Sequence, residues 1–419
     1  MDVVVVGAGL GGLAAGVALH RAGHRVTVLE RGLELRETGA GIGLMPNGVR
    51  ALDALGLGGA VRERATPLPV GGGLRDRHGR PLLAVDQAAI QARAGAPLVV
   101  VDRTWLHRLL AAALPADTVR TGTAVGSVHG AGERVRVAVS GAARPVARRA
   151  GHHPAADPTG VPLTDLETDL ETDLVVVADG AGSRLRAALF PGHPGLEGSG
   201  ECAARAIAPA GPAVEPVPGE LLDHRTGDRF GCMLLADGRT YWYATWALSR
   251  PVPDEPAARL AALRTRYADW HPAAGTLLAA TDPAAVHVTE TTRLVEPLPA
   301  LAVGRIALLG DAAHAMTPDL GQGGCQAFED AAALGALLDQ EVHGRTAGSA
   351  EVSAALARYD AARRPRTTAV ARQARQMNRL LRLRGAAGRL RDTVLRVVPG
   401  ALAAPALARQ FAFDPPRRG

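Results

Sequence analysis

The sequence predicts an α/β protein in which an α+β domain is interleaved with a domain built on a parallel sheet, with helices at the C-terminus. The first observation is Val3–Val6, a continuously apolar run of the kind found in parallel strands covered on both faces. The second is that two later apolar runs, within 173–186 and at Ile306–Leu309, each end beside an aspartate and a glycine. Strands separated by helical patterns in this way favour a parallel sheet.

Length and composition exclude several protein classes. The chain has 419 residues, 47% of them hydrophobic and 21% charged, which indicates a globular protein of two closely packed domains. The formal charge of +6 is expected to be spread along the chain, which argues against a nucleic-acid surface. No apolar run approaches the length of a membrane span, which excludes an integral membrane protein. The chain contains no lysine, so Schiff-base chemistry and a phosphate-loop lysine are excluded.

Cysteine usage predicts a cytoplasmic location. Cys202, Cys232 and Cys325 are far apart and odd in number, which is typical of reduced proteins without a disulfide framework or a zinc site. The opening residues form a strand pattern without a basic region or a cleavage site, so no signal peptide is expected. His152–His153 lies in a loop rich in proline and alanine and has no partners that predict a metal site.

The first thirty residues have the pattern of a dinucleotide-binding unit. Gly7, Gly9 and Gly12 have GxGxxG spacing, in which the first permits a tight turn, the second admits a diphosphate and the third allows close helix packing. Glu30 follows a second strand, at the position expected for an acid that binds a ribose. A glycine-rich turn alone is weak support, but these elements in this order favour a dinucleotide. An acid at this position disfavours a 2′-phosphate, so FAD or NAD fits better than NADP.

Two aspartates at later strand ends extend this pattern. Asp179 has two interpretations, a cofactor contact or a simple N-cap of the following helix. Asp311 follows the run Ile306–Leu309 and precedes the glycine loop Gly321–Gly324, which leads into a helical pattern. Glycines permit close approach to a flat ligand, and a helix N-terminus offers free N–H donors to an anionic one. The loop therefore predicts a flat, partly anionic ligand.

These features together resemble the single-component FAD-dependent aromatic hydroxylases of the para-hydroxybenzoate hydroxylase type. The similarity is closest to the salicylate and urate hydroxylase branch, and it covers most of the chain. It rests on the motifs above and on three further segments in the expected order, "ERGLELRETGAGIGLMPNGVRALDALGL" (30–57), "VDRTWLHRLL" (101–110) and "RFGCMLLADGRTYWYATW" (229–246). The resemblance implies a Rossmann-like FAD-binding domain.

The resemblance also implies roles for particular residues. Glu30 would hold the adenosine ribose, Arg103 would contact the cofactor, and the backbone near Val125 would lie by the adenine. Asp311 would bind the flavin's hydroxylated chain, and Asp179 would serve both FAD and the reductant. The full predicted cofactor set is Gly7, Gly9, Leu10, Gly12, Glu30, Arg31, Gly41, Arg103, Val125, Asp179, Asp311, Gly321, Gln322, Gly323 and Gly324. The predicted catalytic set is Arg205, Asp311 and Pro318.

The activity implied by the resemblance is monooxygenation. A family member takes electrons from NADH or NADPH, reacts with O2 to form a flavin C4a-hydroperoxide, and hydroxylates or epoxidises an aromatic or polycyclic small molecule. Two alternatives stay open: a flavin-dependent dehydrogenase or reductase, and a flavin-binding auxiliary protein without turnover. A related halogenase is excluded, because it needs a lysine that this chain lacks. The protein is expected to be a monomer or homodimer.

Arg205 is the strongest catalytic candidate, and the alternative interpretation is that it forms a surface ion pair. The matching family segment usually reads Ala-Trp-Arg-Gly, whereas Ala204 and Ala206 flank the arginine here, which suggests a widened pocket. On the strand near 241–246, alternation predicts Tyr241 and Tyr243 on one face and the two tryptophans on the other. His314 in "GDAAH" is interpreted as a packing residue rather than a general base.

The domains are predicted to be interleaved along the chain. The predicted segments are 1–70, 98–183 and 300–370 for the FAD-binding domain, 71–97 and 184–299 for the substrate domain, and 371–419 for an Arg-rich C-terminal helical part. Residues 141–170 are interpreted as a loop insertion between two strands of the FAD-binding domain.

Overall fold

The structure is a computed structural model. It describes residues 1–35, 40–67, 72–131, 133–141, 166–211, 217, 219–341, 348–399 and 409–416. The predictions about His152–His153 and about most of the 141–170 insertion lie outside the described residues.

The strands are named here in chain order. They are β1 Asp2–Val6, β2 Arg25–Leu29, β3 Gly41–Leu44, β4 Thr66–Pro67, β5 Gly73–Asp76, β6 Pro81–Ala84, β7 Val99–Asp102, β8 Val119–Arg120, β9 Thr123–Ala131, β10 Arg134–Gly141, β11 Leu166–Thr172, β12 Leu174–Val177, β13 Leu196–Ala208, β14 Glu220–Leu222, β15 Arg229–Leu234, β16 Thr240–Ala247, β17 His287–Leu294, β18 Ala302–Val303 and β19 Ile306–Leu308.

The helices are named in the same way. They are α1 Leu10–Arg21, α2 Pro46–Ala54, α3 Gly58–Arg64, α4 Gln87–Ala94, α5 Arg103–Ala112, α6 Arg184–Leu189, α7 Pro256–Arg266, α8 Pro272–Ala280, α9 Asp311–His314, α10 Gly323–Glu341, α11 Ser349–Leu381 and α12 Gly385–Val397. Short 3-10 turns occur at Ala116–Thr118, Pro283–Ala285 and Pro318–Leu320. No helix within the described residues combines the length and the apolar composition that crossing a membrane requires.

The predicted parallel sheet is confirmed. Within the described residues its strand order is β18-β19-β12-β1-β2-β8, and β1 pairs in parallel with both β2 and β12. The valines of β1 and β12 are almost fully buried, because α1 and the strands β9–β11 pack against the sheet. All three apolar runs singled out in the sequence therefore lie side by side, and their carboxyl ends meet at one edge.

A three-stranded antiparallel sheet of β9, β10 and β11 lies beside the parallel sheet. The interpretation of 141–170 as a loop is wrong at its end, because Leu166–Thr172 forms β11 and pairs with β10. The repeated Thr-Asp-Leu-Glu residues of this segment alternate in the way that one strand of an antiparallel pair requires.

A second, larger sheet is mostly antiparallel and has the order β17-β13-β16-β15-β14-β5-β6 within the described residues. Helices α7 and α8 cover one of its faces. Trp242, Trp246 and Phe230 point into that core, and the ring of Phe230 stacks on that of Trp242 with 5.7 Å between centroids. The predicted alternation on β16 is confirmed, since Tyr241 and Tyr243 lie on the opposite face.

Candidate functional site

The turn between β1 and α1 lies at the carboxyl edge of the parallel sheet. Gly7 has a φ of +102°, and a Cβ atom there would clash with the backbone of Ala178. A Cβ atom at Gly12 would overlap the carbonyl oxygen of Gly7, so only glycine allows α1 to pack this closely. Gly9, in contrast, has no heavy atom within 4 Å of its Cβ position. Its backbone is open on the side from which a diphosphate would approach.

Glu30 joins the end of β2 to this turn. Its Oε2 accepts a hydrogen bond from the backbone N–H of Ala8 at 2.9 Å, and its Oε1 accepts one from that of Gly32 at 2.8 Å. These bonds fix the orientation of the carboxylate, and its remaining lone pairs can accept from a ribose hydroxyl. The adjacent Arg31 is exposed, while Leu10, at the start of α1, is buried.

Two other elements flank the same turn. Val125 is half-buried on β9, close to the point where the backbone N–H of Thr123 donates to the carbonyl of Glu30 at 2.9 Å. His107 on α5 lies with its Nε2 2.7 Å from the carbonyl oxygen of Ala8. His107 was not predicted as a site residue, although the segment "VDRTWLHRLL" contains it. Nothing in the sequence distinguishes this histidine, four residues after Arg103, from a packing residue.

Arg103, Arg205, Asp311 and Tyr241 come together in one cleft. Partial removal from water lowers the pKa of Arg103, the nearby Asp311 carboxylate opposes this, and Arg205 lowers the pKa further. Arg205 also interacts with the phenol of Tyr241. The ring of Tyr241 lies directly over Gly41, where any Cβ atom would overlap it. The cleft therefore contains four residues that are distant in the sequence.

Asp179 follows β12 at the same edge of the sheet. The interpretation of Asp179 as the N-cap of α6 is wrong, because Ser183 caps that helix by accepting a hydrogen bond from the N–H of Arg186 at 2.9 Å. The Oδ1 atom of Asp179 is buried and has no hydrogen-bond partner among the described residues. Burial raises the pKa of this carboxyl group. A buried oxygen of this kind is suited to accept a hydrogen bond from a ligand.

The glycine loop lies opposite Asp311. Pro318 opens a 3-10 turn that ends at Gly321, whose φ is +62°, and α10 begins at Gly323. The Cβ position of Gly323 is 3.9 Å from Oδ1 of Asp311. At Gly321 a Cβ atom would lie only 2.7 Å from Cε of Met45. The N-terminus of a nineteen-residue helix therefore faces the same cleft as Asp311.

Buried amide groups hold this loop from behind. The side chain of Gln322 is buried, and its amide exchanges hydrogen bonds with Asn47 at 2.8 and 3.2 Å. Asn47 also donates to Glu329 at 2.7 Å. The side chain of Gln322 is therefore engaged inside the protein, and only its backbone can face a cofactor. Asn47 was not predicted, although it is one of only two asparagines in the chain.

A buried ion-pair network extends from these amides to the end of β19. Asp330 accepts hydrogen bonds from the backbone N–H of Gly310 at 3.0 Å, from Nε2 of His314 at 2.6 Å and from Nε of Arg363 at 2.7 Å. Arg363 also pairs with Glu329. His314 is buried and bonded to Asp330, which agrees with its interpretation as a packing residue. The network fixes the backbone that carries Asp311.

Asp330 gives a testable dependence of stability on pH. Burial alone would raise the pKa of its carboxyl group, but His314 and Arg363 lower it to about 2. A lowered folded-state pKa contributes stability that is complete above about pH 4 and is lost as the pH falls towards about 2. We expect Asp330→Asn to remove this part of the pH dependence, worth about 2 kcal/mol, in urea denaturation at a series of pH values. The exposed Asp117→Asn variant should keep the wild-type slope, and an unchanged slope in Asp330→Asn would contradict the assignment.

The face of the large sheet that lies away from α7 and α8 carries Tyr241 and Tyr243, which pack with Ile207 and Met233. Arg205 on β13 is half-buried and lies opposite Tyr243 on β16 in the strand register. The ring of Tyr243 covers Gly231 on β15, and its hydroxyl group donates to Glu220 at 3.1 Å. Tyr241, Tyr243 and Arg205 together form an aromatic and basic surface, which is here called the tyrosine face.

The prediction of a widened pocket around Arg205 is wrong. Ala204 and Ala206 are fully buried and pack with Trp242 in the core under α7 and α8. Because side chains alternate along a strand, both alanines point away from the face that carries Arg205. Their small size adjusts the core packing and leaves the tyrosine face unchanged.

A second buried cluster lies where the tyrosine face meets the glycine loop. Arg229 is almost fully buried, 2.9 Å from Asp319, 3.4 Å from Glu201 and 3.5 Å from Glu220. Burial raises the pKa values of Glu201 and Glu220, and the Arg229 charge opposes this. Asn378 of α11 donates to Glu201 at 2.5 Å. The cluster joins β13, β14, β15 and α11 to the residue after Pro318.

The comparisons with known proteins bear directly on this geometry. A family model described as "FAD binding domain" matches residues 1–374. The chain belongs to the FAD-dependent monooxygenases of the aromatic hydroxylase type. FAD is therefore the cofactor of this flavoprotein monooxygenase, as predicted.

Three relatives illustrate the family. The aurachin C monooxygenase/isomerase of Stigmatella aurantiaca is 32% identical over 368 residues, 87% of this chain and 85% of that protein. The FAD-dependent urate hydroxylase of Klebsiella pneumoniae is 30% identical over 376 residues, 90% of this chain and 89% of that protein. The crystal structure of Klebsiella pneumoniae HpxO with FAD and uric acid superposes with a TM-score of 0.82 at 27% identity, covering 98% of this chain and 96% of that one.

The cleft of this flavoprotein suits FAD on three structural grounds. The backbone at Gly9 is open to a diphosphate. The carboxylate of Glu30 is held beside it with acceptor capacity to spare. The buried Oδ1 of Asp179 lacks a partner among the described residues and needs a donor. The roles of individual site residues, like the domain boundaries, stay predictions.

Proposed function

We propose that this flavoprotein uses NADH or NADPH and O2 to hydroxylate or epoxidise an aromatic or polycyclic small molecule. The observation that carries the proposal is that Arg205 and Tyr241 of the tyrosine face lie close to Arg103, which in turn lies close to Asp311 at the edge of the parallel sheet. The aromatic substrate class is supported by the urate hydroxylase and by the uric acid complex among its relatives. We further propose that the enzyme acts in the cytoplasm as a monomer or homodimer.

In this proposal the edge of the parallel sheet holds the cofactor. Gly7, Gly9, Leu10 and Gly12 would place backbone N–H groups and the positive end of α1 at the diphosphate. Glu30 would bind the adenosine ribose, with Arg31 and Val125 on the adenine side. Asp179, Arg103 and Gly41 would line the middle of the cofactor.

The glycine loop would serve the redox-active end. Asp311 would accept a hydrogen bond from the sugar-alcohol chain of the cofactor, while Pro318 would fix the entry to the loop. The backbone N–H groups of Gln322, Gly323 and Gly324 would stabilise negative charge through the dipole of α10. The N–H of Gly321 donates to the carbonyl of Pro318 at 2.9 Å, so this glycine would contribute its open backbone rather than a donor. When bound, FAD supplies electron transfer from the nicotinamide and the activation of O2. The buried networks behind the loop would keep these N–H groups in place.

The tyrosine face would orient the substrate. A planar ring fits between aromatic side chains and a flat cofactor, and Arg205 offers a charged donor to an oxygen or carboxylate on that ring. Tyr241 would direct Arg205, because the two side chains interact. Burial of the ring between the two surfaces would exclude water from the site of oxygen transfer.

The proposed reaction can be tested with isotopic oxygen. Purified protein should contain FAD, and candidate aromatic and polycyclic compounds should be screened for those that stimulate NADH or NADPH oxidation. With ¹⁸O2, the product should gain one heavy oxygen atom, and with H2¹⁸O it should gain none. Substrate-dependent turnover without oxygen uptake would instead favour the dehydrogenase or reductase alternative, and absence of any turnover would favour the auxiliary protein.

Arg205 provides a prediction at the level of one residue. We expect Arg205→Gln to lower kcat/KM by about thirtyfold, because a hydrogen bond from a charged donor to substrate contributes about 2 kcal/mol. FAD affinity should stay within about threefold of wild type, since the side chain lies on the sheet face rather than on the glycine turn. Steady-state kinetics with the best substrate of the screen measures kcat/KM, and titration of FAD into the apo-protein measures FAD affinity.

The control for Arg205 is an arginine on another exposed strand. Arg136 on β10 is half exposed, and Arg136→Gln should leave kcat/KM unchanged. Wild-type kinetics in Arg205→Gln would place substrate elsewhere than on the tyrosine face. An equal loss in both variants would show that the effect is not specific to this cleft.

A further inference from the structure

An exposed apolar stripe runs along α12. The side chains of Leu390, Val394 and Val397 are 66%, 49% and 73% exposed. Leu383, just before the helix, is exposed as well, and so are Ala386 and Ala387 in the first turn. Spacings of three, four and seven residues place the side chains at 386, 387, 390, 394 and 397 on one side of the helix. Exposed apolar surfaces of this continuity on a folded protein mark contact sites.

The opposite side of α12 is firmly anchored. Arg391 is buried, pairs with Asp392 at 2.7 Å and donates to the carbonyl of Leu381 at 2.7 Å. A Cβ atom at Gly388 would press against the carbonyl oxygen of His224, so the helix backbone lies directly on the loop after β14. Leu395 packs into the small core beneath the helix. The stripe therefore has a fixed outward orientation.

Exposed arginines lie beside the stripe. Arg389 and Arg396 follow one border, and Arg384 is the N-cap residue of the helix. Arg396 also lies 3.8 Å from Asp76, and its side chain is half exposed. The segment 371–399 contains eight arginines and a single acidic residue, Asp392, which is buried and paired. Since the whole chain carries a formal charge of +6, the excess positive charge lies in this segment. The expectation that the charge is spread along the chain is therefore wrong.

We propose that α12 docks the enzyme on an anionic lipid surface. The aliphatic stripe would enter the boundary between headgroups and acyl chains, and the bordering arginines would contact lipid phosphates. A second copy of this chain fits less well, because two such helices would bring arginine borders together without acidic partners. Nucleic acid also fits less well, because the centre of the face is aliphatic. The inference goes beyond the proposed reaction and does not depend on it.

Vesicle sedimentation with the full-length, FAD-loaded protein tests this proposal. The protein should pellet with vesicles that contain phosphatidylglycerol and should stay in solution with vesicles of phosphatidylcholine alone. Binding should weaken as salt is added, because ionic strength screens the arginine contacts. The double variant Leu390→Glu/Val397→Glu should lower the partition coefficient by at least about tenfold.

A matched control separates the stripe from general surface hydrophobicity. Leu234 on β15 is 51% exposed and lies outside α12, so Leu234→Glu should bind vesicles like wild type. FAD absorbance and the melting temperature of all variants should match wild type, since none of these side chains is buried. Failure of wild type to pellet, or retention of binding in the double variant, would overturn the proposal. A dimer that the double variant dissociates, without vesicle binding, would assign the stripe to a contact between copies and would overturn it equally.

Discussion

Replacing Gly9 by alanine is expected to weaken FAD binding by about a hundredfold while leaving the fold of the FAD-free protein unchanged. Gly9 has φ −70° and ψ 178°, which alanine adopts freely, and no atom lies within 4 Å of the added Cβ position. The methyl group would occupy only the space that a diphosphate needs, at a cost of about 3 kcal/mol in binding. Titration of FAD into the apo-protein, followed by flavin fluorescence, measures the affinity.

Substitutions at two other glycines serve as comparisons for Gly9→Ala. In Gly12→Ala the Cβ atom would overlap the carbonyl oxygen of Gly7, so both the melting temperature of the FAD-free protein and FAD binding should fall. Gly59→Ala in α3 adds a methyl group in open space, so it should lower neither the melting temperature of the FAD-free protein nor the affinity for FAD. Wild-type FAD affinity in Gly9→Ala would mean that the diphosphate does not pass over this turn.

Replacing Arg229 by methionine is expected to lower the free energy of unfolding by about 3–5 kcal/mol. The substitution leaves Glu201, Glu220 and Asp319 buried around a neutral side chain, and an unpaired buried charge costs that much. Urea denaturation at neutral pH measures the loss. Arg62→Met removes an exposed ion pair with Asp53 and should cost no more than about 1 kcal/mol.

The pH dependence of the Arg229→Met deficit gives an independent check. Burial already raises the pKa values of Glu201 and Glu220, and loss of the arginine raises them further. A group with a raised folded-state pKa contributes stability below its unfolded pKa and loses that contribution as the pH rises. The deficit should therefore be smaller near about pH 4 and grow towards about pH 7. A deficit that is constant over this range would show that lost packing, rather than charge, is responsible.

The parts of the fold that were predicted depend on short-range patterns. The strand, turn and helix at the N-terminus lie within thirty residues, and the spacing reveals the positive φ of Gly7 and the close approach of Gly12 to Gly7. The same holds for the faces of β16, where Tyr241 and Tyr243 lie opposite the tryptophans because strands have a period of two. Applied to β13, that rule would also have placed Ala204 and Ala206 away from Arg205.

The parts that were missed depend on contacts between distant segments. Arg229 meets carboxylates from residues 201, 220 and 319, and no spacing in the sequence connects them. Asn47 reaches Gln322 and Glu329 across more than 270 residues. The strand at Leu166–Thr172 was missed for another reason, since the acidic composition of its tandem repeat is typical of a loop, and this composition outweighed the alternation that its pairing with β10 requires.

A crystal structure of the protein with FAD tests the central claim most directly. The account predicts the diphosphate over Gly9, the adenosine ribose on Glu30, and the flavin ring between the Gly321–Gly324 loop and the tyrosine face with Arg205. FAD bound at any other surface, or a cleft filled by protein side chains in the presence of saturating FAD, would contradict it.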